Sequence, residues 1–186
     1  MEDKEIIVIG GSAGSINVLL KLLPLIEKDR CLPIIIIIHR KPTDENVLST
    51  LLQFKTKITI KEIEDKMPIE INTIYLAPAN YHVLLEKDKS FTLDDSEKVN
   101  YSRPNIDVCM HSVTQIYGNK TIGILLTGAN DDGAIGLKMI HDMGGYTIIQ
   151  KPETCLFSIM PQHAEKLSKP DLKLTPEGIA EFLTTI

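Results

Sequence analysis

Short, nearly unbroken apolar runs alternate along this chain with stretches whose apolar residues recur at helical spacing. Ile6-Ile7-Val8-Ile9 leads through Gly10-Gly11-Ser12-Ala13-Gly14-Ser15 into a pattern carried by Ile16, Leu19, Leu20 and Leu23, which reads as strand, Gly-rich turn and helix. Pro33-Ile34-Ile35-Ile36-Ile37-Ile38 has no polar alternation, as expected of a parallel strand covered on both faces, and it ends at His39. Thr43 is placed to cap a helix bearing Val47, Leu48, Leu51 and Leu52. Ile58-Thr59-Ile60 and Thr73-Ile74-Tyr75-Leu76-Ala77-Pro78 read as strands, and Val83–Glu86 with Ser90–Leu93, split by Lys87-Asp88-Lys89, as a hairpin. Pro104 suits the first turn of a helix that carries Ile106, Cys109, Met110, Val113, Ile116 and Tyr117 and stops at Gly118. Beyond it come a buried strand, Thr121–Leu126, and a polar loop, Thr127 to Gly133. A helix with Ile135, Leu137, Met139 and Ile140 closes at Gly144-Gly145, followed by a strand, Tyr146–Gln150, and a terminal helix, Pro176–Ile186. The order predicts an α/β fold: a doubly wound, mostly parallel sheet with helices on both faces, the hairpin being an antiparallel addition to it.

Composition narrows the class. The chain has 186 residues, 43% of them hydrophobic, enough for a single domain over 1–186, and neither a linker nor a repeat divides it. The net charge is −5 and the Lys and Arg residues are dispersed, so no electrostatic footprint for nucleic acid exists. Leu32 to Ile38, the longest apolar run, is broken by Pro33 and too short to cross a bilayer, and Met1-Glu2-Asp3-Lys4 lacks the shape of a signal peptide. The expectation is a cytoplasmic protein without membrane insertion. Cys31, Cys109 and Cys155 are widely spaced, without C-x-x-C, and read as reduced, mostly buried thiols.

The candidate chemistry lies where strands end, as doubly wound sheets require. A Rossmann-like dinucleotide loop, G-x-G-x-x-G, fails in both frames: from Gly10 it needs glycine at Ser12 and Ser15, from Gly11 at Ala13 and Ile16. A hydroxyl at position 12 instead sits at a strand end and a helix mouth, where converging N–H groups stabilise negative charge. His39 ends the second strand, and Asp131 or Asp132 follows the strand that closes at Leu126. Acyl transfer by serine needs an imidazole to take its proton and a carboxylate to orient that imidazole, and all three types are present. Each has a structural alternative: Ser12 as a helix cap, His39 as a polar strand end, Asp132 as the N-cap of the helix after it. His82, His111, His141 and His163 lack metal-ligand spacing and read as surface or packing residues.

Five motifs follow one another in order: Ile9-Gly10-Gly11-Ser12-Ala13-Gly14, His39-Arg40-Lys41-Pro42, Leu76-Ala77-Pro78, Ser102-Arg103-Pro104-Asn105-Ile106-Asp107, and Leu125-Leu126-Thr127-Gly128-Ala129-Asn130-Asp131-Asp132-Gly133-Ala134. With them the chain resembles the catalytic domain of CheB, the chemotaxis protein-glutamate methylesterase, from about the first strand to Met160-Pro161. The resemblance implies Ser12 as nucleophile, His39 as general base and then acid, and Asp132 as orienting carboxylate, with Asp131 a solvated neighbour. It also implies the substrate, a glutamate γ-methyl ester on the signalling helices of a chemoreceptor or related signalling protein. Methanol is released, some members deamidate glutamine, and neither metal nor cofactor takes part. The oxyanion would be held by the backbone N–H groups of Ala13 and Ala129, and Arg103 would contact an acidic receptor surface unless it serves only helix entry. The family's commoner pattern has threonine after the nucleophile and methionine after Thr-Gly, where this chain has Ala13 and Ala129. That changes the shape of the pocket and leaves the triad. Family members usually carry an N-terminal receiver domain, so the expectation here is regulation by a separate receiver or a histidine kinase. Two rival readings are a nucleotide-binding module, for which His39-Arg40-Lys41 replaces the ribose-binding acid, and a receptor-binding domain that no longer hydrolyses.

Overall fold

The computed structural model describes residues 3–26, 31–40 and 47–186. In chain order its elements are β1 (Ile6–Gly11), α1 (Ser15–Leu22), β2 (Ile34–Ile38), α2 (Val47–Gln53), β3 (Thr59–Glu62), β4 (Thr73–Leu76), β5 (His82–Leu85), β6 (Phe91–Asp94), α3 (Ile106–Tyr117), β7 (Thr121–Leu125), α4 (Ala134–Asp142), β8 (Tyr146–Gln150), α5 (Ile159–Ser168), β9 (Leu172–Leu174) and α6 (Pro176–Thr184). Seven strands form one parallel sheet in the order β3-β4-β2-β1-β7-β8-β9. The hairpin β5–β6 is a separate antiparallel pair, which corrects the expectation that it extends the sheet. It packs instead on α3, where Leu85 N donates to Ser112 Oγ at 2.6 Å.

Period-2 alternation along the buried strands divides the core in two. Ile7, Ile9, Ile34, Ile36, Ile38, Ile122 and Ile124 face α1, α2 and α6. Ile6, Val8, Ile35, Ile37 and Leu125 face α3, α4, α5 and the hairpin. Each such side chain, taken out of water, stabilises the fold by about 1.5–3 kcal/mol, and this two-sided burial is why the isoleucine runs lack polar alternation.

Several local expectations shift. Gly10 and Gly11 belong to β1, in register with Ile37 and Ile38, so the turn begins only at Ser12. Pro104 lies before the helix: Asn105 is the N-cap of α3, its side chain accepting from Val108 N at 2.9 Å. The sequence reading missed α5 and β9. Only Met160, Pro161, Ala164 and Ser168 of α5 are buried, so its apolar period is weak, and β9 is a three-residue edge strand. The cap expected at Thr43 lies outside the described residues.

The chain lays β2, β3 and β4 to one side of β1, with β4 between β2 and β3, then crosses to β7 and builds the other side. The carboxyl ends of β1 and β7 therefore flank the reversal of strand order, where doubly wound sheets open a crevice.

Candidate active site

Ser12 is the first residue past β1, and its backbone is fixed from both sides. Its N–H donates to Thr127 O at 3.0 Å, across the crevice, and its carbonyl accepts from Ser15 N at 3.0 Å and Ser15 Oγ at 2.5 Å. The hydroxyl of Ser15 thus braces the turn, and the N-cap of α1 is Gly14, with no side-chain cap. Ser12 Oγ is left half-buried and makes no hydrogen bond among the described residues. That removes the capping alternative.

The next strand end brings His39 alongside. Its backbone N–H donates to Gly11 O at 3.2 Å, which sets the backbone of His39 beside the Ser12 turn, and its ring makes no hydrogen bond to Ser12 Oγ. The ring is held from the far side: Nε2 lies 2.7 Å from Asp132 Oδ2. Asp132 is 1% exposed. It also accepts from the first-turn N–H groups of α3, Ile106 N at 2.8 Å on Oδ2 and Asp107 N at 3.0 Å on Oδ1. A buried carboxylate is costly unless paired, and here the positive end of a helix and an imidazole N–H supply the pairing. Asp132 does not cap α4, whose N-cap is Gly133 with φ 89°, a left-handed conformation that glycine adopts without strain. Asp131 is exposed, as expected of a solvated neighbour.

Gly10 allows this arrangement. A Cβ there would stand 2.4 Å from Ile106 Cγ2, so the missing side chain lets the start of α3 lie against β1 and reach Asp132. The glycine serves close packing of helix on strand.

The remaining polar groups were not found from the sequence. Asn130 places Nδ2 at 3.4 Å from His39 Nδ1. Thr127 Oγ1 lies 3.1 Å from Ala13 O and accepts from Phe157 N at 2.9 Å, joining the nucleophile turn to the segment before α5. Fully buried Gln150 holds the same loop, Oε1 accepting from Thr127 N at 3.0 Å. A polar residue closing an apolar strand was the one available signal for Gln150. The N–H groups of Ala13 and Ala129 are unpaired among the described residues, whereas Gly128 N is taken by Phe157 O at 3.0 Å.

A cavity of about 300 Å³ opens beside His39, with Arg40, Asn80, Lys98, Ser102 and Arg103 in its walls. Arg40 pairs with Glu62 at 2.6 Å, and Arg103 Nη1 donates to the carbonyls of Asp95 and Ser96. Behind Asp132, burial and the negative charge of Asp132 push the Asp107 carboxyl up to about 6, against the downward pull of the Gly136 N–H. Burial also pushes up the thiols, Cys31 to about 11 and Cys109 to about 12, so neither is a ready nucleophile. His82 is buried in packing, with Nε2 against Glu97 O at 3.1 Å.

A family model described as CheB methylesterase matches residues 7–183. The chain belongs to the CheB methylesterase family. The match runs past Met160-Pro161, where the resemblance read from the sequence ends, and into α6. The crystal structure of the Thermotoga maritima CheB methylesterase catalytic domain superposes with a TM-score of 0.93 at 32% identity, covering 98% of each chain. A Leptospira interrogans protein, provisionally named protein-glutamate methylesterase/protein-glutamine glutaminase, is 42% identical over 178 residues, 96% of this chain and 92% of its own length. An Archaeoglobus fulgidus protein of that double name is 32% identical over 185 residues, 95% of this chain and 53% of its own length. The chain thus spans nearly all of one CheB relative and about half of the other.

Proposed function

We propose that this chain is a protein-glutamate methylesterase in which Ser12 is the nucleophile, His39 the general base and acid, and Asp132 its orienting partner. The observation that carries the reading is the 2.7 Å contact of His39 Nε2 with Asp132 Oδ2, made by a residue whose backbone is bonded to Gly11, next to Ser12. The N–H groups of Ile106 and Asp107 also donate to Asp132, so the carboxylate accepts and Nε2 carries the ring proton. The lone pair then lies on Nδ1, and Nδ1 is the basic atom.

Ser12 Oγ bonds to the ester carbonyl carbon as its proton passes to His39 Nδ1. The oxyanion is received by the unpaired N–H groups of Ala13 and Ala129, both backbone donors, so alanine side chains at these positions do not impair the function. Nδ1–H protonates the departing methoxide, methanol leaves, and an acyl-enzyme remains. His39 then deprotonates a water that attacks the acyl carbon, and the returning proton frees Ser12 and the glutamate. A glutamine side chain follows the same course with ammonia leaving, in keeping with the double activity named for the relatives.

The substrate is a methylated chemoreceptor or related signalling protein, and Arg103, in the cavity wall, is the candidate contact to its acidic surface. The reaction belongs in the cytoplasm. No helix among the described residues is long and apolar enough to cross a membrane.

The test is methanol release from a helical peptide bearing γ-methyl glutamate. Ser12→Ala is expected to lower kcat by on the order of 10⁶ with an unchanged circular dichroism spectrum. Retention of activity within tenfold would overturn the assignment.

A further inference from the structure

Asp132 accounts for one side of the His39 ring, and Asn130 meets the other. Asn130 Nδ2 lies 3.4 Å from Nδ1, a long contact, while Oδ1 of the same amide is buried without a hydrogen-bond partner. Native proteins seldom leave a buried amide oxygen unpaired, and such a group calls for a functional reason.

The ring supplies one. With the proton on Nε2, a neutral His39 offers only a lone pair at Nδ1, and Asn130 can meet it only through its NH₂ group. Oδ1 then has nothing to accept. Once Nδ1 has taken the proton of Ser12 the polarity reverses: Nδ1–H needs an acceptor, and a half-turn of the amide brings Oδ1 to it.

We infer that Asn130 is a positioning residue for His39, its amide donating to Nδ1 in the resting enzyme and yielding that nitrogen to the Ser12 hydroxyl when substrate binds. It turns Oδ1 toward Nδ1 when the ring is charged. The length of the contact suits such an exchange, since a short bond would hold the lone pair against Ser12. Asn130 neither gains nor loses a proton: the proton leaves Ser12 Oγ as that oxygen bonds to carbon, rests on Nδ1 and departs on methanol. The inference rests on the triad reading above. The charged groups facing the ring among the described residues are Asp132, with Asp107 behind it, and, across the cavity, Arg40, Lys98 and Arg103. The variants below alter none of them.

Two measurements on the whole chain decide it. In ¹⁵N NMR spectra of the neutral ring, the wild type is expected to show a protonated Nε2 and a hydrogen-bonded, unprotonated Nδ1 whose resonance moves in Asn130→Ala. In kinetics with the ester peptide, Asn130→Ala is expected to lower kcat roughly tenfold with little change in KM. Asn130→Asp, which only accepts and carries charge, favours the charged ring, so the acid limb of kcat/KM moves to higher pH. A side chain that merely fills space would leave the Nδ1 resonance in place in Asn130→Ala. An unmoved Nδ1 resonance in Asn130→Ala, or an unmoved acid limb in Asn130→Asp, overturns the inference. A wild type that releases no methanol overturns the esterase reading by itself, and the spectra still decide the Asn130 contact.

Discussion

His39 has one nitrogen committed to a carboxylate and one met only by the long contact with Asn130, and that asymmetry organises the site. Nε2 is bound by Asp132 at 2.7 Å, which leaves Nδ1 for proton transfer. Asp132→Asn removes the acceptor that selects this tautomer while keeping the shape of the side chain. It is expected to lower kcat for methanol release on the order of 10⁴-fold, and a loss of less than tenfold would count against the role. Ser12 and His39 were legible as candidates because each directly follows a recognisable strand, and parallel strands place their ends along one rim; the strand pattern left Asp131 and Asp132 both open, and only the resemblance singled out Asp132. Asn130, Thr127 and Gln150 were not legible. Their partners are His39 Nδ1, Phe157 and Thr154, contacts set by which loops meet in space.

At the scale of elements, α3 is the support of the site. All four N–H groups of its first turn are used: Ile106 and Asp107 donate to Asp132, Val108 to the Asn105 side chain and Cys109 to Asn105 O at 3.4 Å. Asp107 in turn ties α3 to α4, its Oδ1 accepting from Gly136 N at 2.6 Å. With its carboxyl raised from 3.8 to about 6, the native state binds more protons than the unfolded chain between those values. Its contribution to stability is full below about pH 4 and is lost as pH rises through about 6. Asp107→Asn keeps the oxygen that accepts from Gly136 and removes the buried charge. Urea unfolding is expected to find it more stable than wild type at pH 8 by on the order of 1 kcal/mol, with the gap closing toward pH 4. Equal pH slopes in the two proteins would refute this. The helix itself was legible from its apolar spacing, but its start was not, because Asn105 and Pro104 both suit a helix entry and only the bond to Val108 N decides between them. The hairpin was likewise legible as a hairpin, whereas its attachment to α3 depends on Ser112 and on packing that local pattern does not encode.

For the molecule as a whole, the two-sided burial of isoleucine-rich strands makes the architecture readable: positions 7 and 9 of β1 serve one core and positions 6 and 8 the other. The same geometry brings Ser12 and Thr127 together across the reversal of strand order, with His39 on the neighbouring strand end. The site therefore depends on the whole sheet, and its three members are expected to act as one unit. The direct measurement is kcat/KM for methanol release in Ser12→Ala, His39→Ala and the double variant. The double variant is expected to be no slower than the worse single variant, because either change alone already abolishes proton-coupled attack. Losses that multiply in the double variant would contradict it, showing that Ser12 and His39 contribute independently.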